Sequence, residues 1–426
     1  MKSVSGSKKC LRIIERKSRY ATEVRAELAE LRKFEGFTFV AIARFVSNLG
    51  NGISPIALAY GVLSIPGTDG GDLSLVMSAR YFPMVILMLF GGVIADRFPR
   101  NRIVGGSDII GSIVTSVSAI TLISGEGRVW ILFAMGAIFG VLNALWFPAM
   151  TGILPELLPK SHLQKGNAFI GLMSNIGYIA GALLGGVIVA TFNAGWGILL
   201  DAATFFIAGV LIWNLPAELK SSPSSISMMK DLKAGWREFI SRSWVVTMVF
   251  TFAIINLAFE SMIQVLGPLN FDDPDSGPTS WSWNLAGMTV GMVIGGFIVL
   301  KMKFKRPLFV SMILIAISVV WDFSLAAGLP LHVSIVAAVI SGMTIEIFLV
   351  TWYTSLQHHV PEESYSRVSS YDAVGSYGIA PIGIVVAGPL AHHFTVSTML
   401  FVTGSLTLVA ALASLCVKSV RDLSND

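Results

Sequence analysis

The sequence predicts an all-α membrane protein, with twelve transmembrane helices arranged as two pseudo-symmetric six-helix bundles. Three observations predict it. Of 426 residues, 54% are hydrophobic and only 13% are charged, about half the ~25% charge of a soluble chain. The apolar residues fall into twelve runs of membrane length, each near the ~20 residues a spanning helix needs. The basic residues collect in alternate connections between those runs.

The runs lie at about 37–62, 73–95, 103–124, 130–150, 167–191, 196–215, 244–269, 281–302, 307–327, 331–354, 368–390 and 396–417. Between them, one set of segments comprises the N-terminal tail, 96–102, 155–166, 217–243, 301–306, 355–367 and the C-terminal tail. This set carries 27 of the 30 Lys and Arg residues. The opposite loops carry only Arg128, together with Asp69, Asp72 and the acidic FDDPDSG stretch at 271–277. Excess Lys and Arg marks the cytoplasmic face, so both termini are expected in the cytoplasm and the chain in the plasma (inner) membrane. The net charge of +4 is accounted for by this topology and calls for no nucleic acid.

The polar tail 1–36 contains no apolar core or small-residue cleavage site of a signal peptide. It reads as a solvated tail, or with residues 21–33 as a surface amphipathic helix. Cys10 and Cys416, near opposite ends, offer neither a disulfide framework nor a metal site. Residues 216–243 form the longest internal polar stretch. They divide the chain into a bundle at 37–215 and a bundle at 244–417, leaving 418–426 as a C-terminal tail.

The halves echo one another. LPKSHLQKGNAFIG at 158–171 and VPEESYSRVSSYDA at 360–373 each lead into a span. A shift of 202 residues aligns Pro159 with Pro361, Lys165 with Arg367, Gly181 with Gly383 and Gly186 with Gly388. Two-fold internal repeats with a site at their interface are a transporter architecture.

The densest polar interruption is GGVIADRFPRNR at 91–102. Pro99 forces a turn, and Arg97, Arg100 and Arg102 supply topological charge. Asp96 at the membrane boundary is not explained that way; an acid there wants an arginine or a helix N-terminus. The stretch resembles the helix 2–3 loop motif of the major facilitator superfamily, roughly G-x-x-x-D-R-x-G-R-R, with Gly92, Asp96, Arg97 and Arg100 matching and Pro99 replacing a glycine. ARFVSNLGNGI (43–53), ARYFP (79–83), LPELLPKSHLQKGNA (154–168), LLDAATF (199–205) and VPEESYSRVSSYDAVGS (360–376) resemble its drug-exporter branch, which includes macrolide-efflux and enterobactin-exporter proteins. The resemblance covers nearly the whole chain after residue 36 and implies the major facilitator fold. It also implies a cytoplasmic latch in which Asp96, Arg97 and Arg100 meet the start of the eleventh helix near Asp372.

A charge at mid-bilayer costs at least ~2.5 kcal/mol, so each is a functional candidate. Arg44, Arg80, Asp108, Asp201 and Asp322 are intramembrane charges, Asp108 being read as structural. Arg44 lies about 10 Å into its helix at 1.5 Å per residue, within reach of snorkelling. Glu260 and Glu346 are the candidates for a proton-coupling carboxylate. The branch resembled carries an acid after the glycine of its first helix, where this chain has Asn51, which cannot titrate.

Gly177, Gly181, Gly185 and Gly186 read as a helix-packing motif. They resemble the antiporter motif G-x-x-x-G-P-x-x-G-G, with Ala182 in place of its proline. By depth alone, Asn51, Trp146, Phe147, Phe259, Trp352 and Tyr353 are expected on a substrate cavity. The histidine pairs at 358–359 and 392–393 show no metal spacing.

The chain has no G-x-x-x-x-G-K-[ST] loop, G-x-S-x-G elbow or H-E-x-x-H helix, so ATP-driven and hydrolytic readings lack support. The expectation is a non-enzymatic, cofactor-free and metal-free secondary transporter, monomeric in the bilayer. The resemblance points to proton-coupled export of amphipathic small molecules by alternating access. An importer or lipid-type flippase of the same fold, and a transporter-like sensor without flux, remain open.

Overall fold

The computed structural model describes residues 29–95, 98–215, 235–302 and 304–424. Asp96, Arg97, residues 1–28 and residues 216–234 lie outside the described residues, and with them the centre of the expected latch, most of the expected linker and most of the expected surface helix. A helical turn at 29–31 precedes the first span. Leu31 and Phe37 pack there on Leu154 and Leu158.

Among the described residues, twelve helical segments of membrane length follow: α1 Phe37–Leu63, α2 Gly70–Ala95, α3 Arg100–Ile123, α4 Val129–Leu157, α5 Lys160–Thr191, α6 Ala194–Trp213, α7 Ser243–Asn270, α8 Gly277–Val299, α9 Pro307–Ala326, α10 Leu331–His359, α11 (Glu362–Tyr377 and Ala380–Phe394) and α12 Val396–Ser414. Ten have both the length and the hydropathy to cross a membrane. The other two, α1 and α2, are 27 and 26 residues long. Prolines stand at or just before many helix starts, including Pro99, Pro159, Pro307, Pro330 and Pro361. A missing N–H costs nothing at those positions.

The loops expected at 155–166 and 355–367 are mostly helical. Only Leu158 and Pro159 separate α4 from α5, and only Val360 and Pro361 separate α10 from α11. Helices outlast their apolar stretch because backbone hydrogen bonding does not stop at the membrane boundary; at Leu158–Pro159 and Val360–Pro361 the residue before proline is pushed to extended backbone, and this sets the break.

The two halves have the same packing. In the first, α1 lies on α5 and α6, α2 on α4, and α3 on α4 and α6. In the second, α7 lies on α11 and α12, α8 on α10, and α9 on α10 and α12. Each of these pairs recurs six helices later. The halves meet where α5 packs on α8 and α2 packs on α11.

The repeated glycines explain both kinds of contact. A Cβ on Gly181 would strike the Leu49 carbonyl of α1, and one on Gly383 would strike the Leu257 carbonyl of α7. These bring α5 and α11 onto the first helix of their own half. A Cβ on Gly186 would strike Ser282 of α8, and one on Gly388 the backbone of Gly70 at the start of α2. These bring the same two helices onto the opposite half. Gly177 and Gly185 also face α1, at Phe45 and Ile53. Backbones that approach this closely leave no room for a side chain.

With twelve passes, residues 29–36 and 415–424 lie at one end of the bundle, here the terminal end. The turns 64–69, 124–128, 271–276 and 327–330 lie at the distal end. At the distal end Tyr60 Oη donates to the Phe271 carbonyl at 2.7 Å, and the Gly388 amide donates to Ser74 Oγ at 2.8 Å. Both bonds join the halves.

Candidate functional site

Two polar assemblies lie inside this frame. The first bridges the halves at mid-depth. Tyr81 of α2 donates its hydroxyl to Glu260 Oε2 of α7 at 2.9 Å. Gln264, one turn beyond Glu260, gives its amide to Tyr81 Oη at 2.6 Å and to Glu260 Oε2 at 3.2 Å. Tyr178 of α5 and Tyr377 of α11 stand within electrostatic reach of the same carboxylate. Four helices, two from each half, thus converge on one acid.

Local backbone chemistry accompanies it. Immediately after Ser261, α7 passes through a π turn at Met262–Leu266, in which Gly267 N–H bonds to the Met262 carbonyl. Pro268 follows and has no N–H to offer. Such single-turn widenings are frequent at functional sites because they re-aim side chains and loosen the ladder. Gly267 itself is obligatory, since a Cβ would run into the Trp281 ring.

The second assembly lies within the first half. Ser47, Asn51 and Ser54 recur along α1 at spacings of four and three and so share a face. Arg80 is tied to Ser54 Oγ at 3.2 Å, lies 4.5 Å over the Phe139 ring and feels the charge of Asp201. Asp201 is buried, 1% exposed, against Gly50. Nearer the terminal end, Arg44 lies 5.2 Å over the Trp146 ring and within electrostatic reach of buried Asp108. Ser47, Asn51, Ser107, Asp108, Asn143 and Trp146 line a cavity of about 40 Å³ there.

The remaining expected residues divide. Asn51 and Trp146 face that cavity. Phe147 and Tyr353 are exposed, and Phe259 is half-buried on the distal core. Trp352, expected on a cavity wall, is instead a core residue. Its ring meets Trp244 edge-on at 5.6 Å and its indole donates to Asp372 Oδ2 at 2.9 Å. Depth cannot distinguish the inner from the outer face of a helix, which is why the sequence reading fails at this residue. Asp372 also accepts from Ser376 Oγ at 3.0 Å. Arg100 pairs with Glu156 of α4 at 3.0 Å. In this conformation Arg100 and Asp372 each have a partner in their own half, while Asp96 and Arg97 lie outside the described residues. Gly92 lies in α2.

Asp322 accepts from Thr403 Oγ1 at 2.9 Å and packs on Gly404, away from the other half. Glu346 is half-buried beside Gly295 and Gly296 of α8 and makes no hydrogen bond or ion pair among the described residues. Sequence reasoning missed Tyr81, Tyr178, Gln264 and Tyr377. Tyr81 sits inside the ARYFP stretch and Gln264 lies four residues after Glu260, a spacing that places two side chains on one helix face.

The Major Facilitator Superfamily family model matches residues 40–383. The chain belongs to that superfamily. Among relatives of this major facilitator chain, the multidrug efflux pump Tap of Mycolicibacterium fortuitum is 27% identical over 369 residues, covering 83% of this chain and 88% of the relative. The enterobactin exporter EntS of Escherichia coli O1:K1 / APEC is 23% identical over 395 residues, covering 90% and 93%. Among solved structures, a point mutant of the nucleoside transporter NupG superposes with a TM-score of 0.73 at 14% identity, covering 90% of this chain and 99% of that one. A bacterial homologue of the lysosomal transporter Spinster, inward-facing and unoccupied, gives 0.68 at 13% identity, covering 91% and 96%. At such identity the structures speak for the fold alone. The chain is thus a multi-pass membrane transporter and not an enzyme.

Proposed function

We propose that this protein is a proton-coupled exporter of amphipathic small molecules, working by alternating access as a plasma-membrane monomer with both termini cytoplasmic. The observation that carries the reading is the Tyr81–Glu260–Gln264 bridge between the halves. A hydrogen bond to a charged carboxylate is roughly twice as strong as one between neutral groups, and a proton taken by Glu260 removes that charge. Protonation of Glu260 therefore weakens a tie between the two bodies whose relative motion is transport.

Export is favoured by the relatives, which are named as a multidrug efflux pump and an enterobactin exporter. The basic residues of the terminal end support a cytoplasmic assignment for it. With the distal end joined through Tyr60–Phe271 and Ser74–Gly388, the conformation described is then inward-facing. In the outward-facing state Asp96, Arg97 and Arg100 are expected to form the latch with the start of α11. Arg100 would exchange its bond to Glu156, and Asp372 its bonds to Trp352 and Ser376, for contacts across the gap.

Efflux of a panel of amphipathic compounds from energised cells, with and without a protonophore, tests the reading. Protonophore-sensitive efflux is expected. Uptake or lipid movement on reconstitution, without efflux, would overturn it while keeping the fold.

A further inference from the structure

We propose that Asp108 is a second proton-exchange site, confined to the first half and reached through water held in the cavity beside Asn51. The proposal rests on proton coupling as read above. It adds a site on a different helix from Glu260.

The geometry is a small chamber with mixed walls, in which Phe139, Leu142 and Phe205 stand beside the polar groups. Asp108, 6% exposed on α3, opens onto a cavity of about 40 Å³ shared with Ser47 and Asn51 of α1, Ser107 of α3, and Asn143 and Trp146 of α4. A buried water needs roughly 10–15 Å³ of such space and two to four polar partners, so one to three waters fit. The walls contain a group that needs them. Ser47 Oγ is buried without a hydrogen-bond partner among the described residues, and an unpartnered buried polar atom costs ~1–3 kcal/mol; the Trp146 indole already faces Asp108. Asn51, Asn143 and Trp146 are only half-buried, so the chamber reaches the surface between them.

The charges around Asp108 allow the exchange. Arg44 of α1 is the charged group that acts on it. From α6 the facing residue is Gly209, and from α4 it is Trp146; neither is titratable. When a proton moves from bulk water along the chamber to an Asp108 carboxylate oxygen, Arg44 keeps its charge and the two side chains together pass from net neutral to a single positive charge. That charge is still held over the Trp146 ring.

The test is infrared difference spectroscopy of the reconstituted full chain between acidic and alkaline buffer, in light and heavy water, without substrate or gradient. Wild type is expected to show protonated-carboxyl bands. Asp108→Asn is expected to lose one component, and Asn51→Leu, which fills the chamber, to slow deuterium exchange of that component. Spectra of folded Asp108→Asn identical to wild type would overturn the proposal. Should Asp108→Asn not fold, unchanged exchange in Asn51→Leu would overturn it. Because no transport is read, protonophore-insensitive efflux would sink the coupled-exporter reading without touching this result.

Discussion

The Tyr81 hydroxyl of α2 donates to Glu260 Oε2 of α7 at 2.9 Å, and Gln264 bonds to both. Two halves that must move apart are thus pinned at mid-depth by a hydrogen bond to a carboxylate. A bond of this type contributes about 1.5–3 kcal/mol. Tyr81→Phe is expected to shift the balance between the two conformations by roughly ten- to a hundredfold, since 1.4 kcal/mol is tenfold. Glu260→Gln keeps the shape and removes the charge, and is expected to abolish the response of transport to a pH gradient. Transport by Glu260→Gln that still follows the gradient would move the coupling role elsewhere.

Glu346 is the alternative carrier. It lies half-buried and unbonded among the described residues beside Gly295 and Gly296, with no tie to the opposite half. Glu346→Gln is expected to leave gradient dependence intact. Loss of that dependence in Glu346→Gln, with Glu260→Gln unaffected, would reverse the assignment.

The glycine pairs separate folding from conformational bias. Gly181 touches α1 within its half, whereas Gly388 touches α2 across the halves. Gly181→Ala is expected to lower the amount of folded protein, because the clash falls on backbone that cannot yield. Gly388→Ala is expected to fold and to favour an open distal end. Cysteine labelling at Gly70 and Ser74 reads the difference, with faster labelling expected only in the second variant.

Asp96→Asn is expected to reach the membrane at normal levels and to transport more slowly, because a latch is lost and the bundle packing is not. Measured transport per folded molecule equal to wild type would sink the latch.

Asp273, in the distal loop before α8, accepts from the Ser276 amide at 2.8 Å, the Ser276 hydroxyl and the Asp275 amide. These bonds hold its carboxyl below the usual range, with the Ser276 backbone bond foremost. A depressed acid stabilises the turn above its unfolded value and loses that contribution as pH falls through the folded value. Amide protection at 275–276 is therefore expected to be full at neutral pH and to fall in acid. Asp273→Ala is expected to lose it at every pH.

The twelve spans, the six-and-six division and the repeat were legible in the sequence, because they depend on local quantities: apolar run length, the side on which Lys and Arg accumulate, and proline at helix starts. The pairing of Pro159 with Pro361, and of Gly181 and Gly186 with Gly383 and Gly388, marked a repeat, and in the structure the four glycines make corresponding close helix contacts in the two halves. Glu260 was legible too, as a charge at a depth where charge is costly.

Only the tertiary structure decided which face each polar residue presents. It put Trp352 in the core on Asp372, gave Asp322 to Thr403, brought Tyr81 to Glu260 from a helix 179 residues away, and turned its neighbour Arg80 the other way, towards Ser54 and Asp201. Successive helix residues point about 100° apart. Hydropathy reports the depth of a side chain in the bilayer, and direction is set by the helices it packs against.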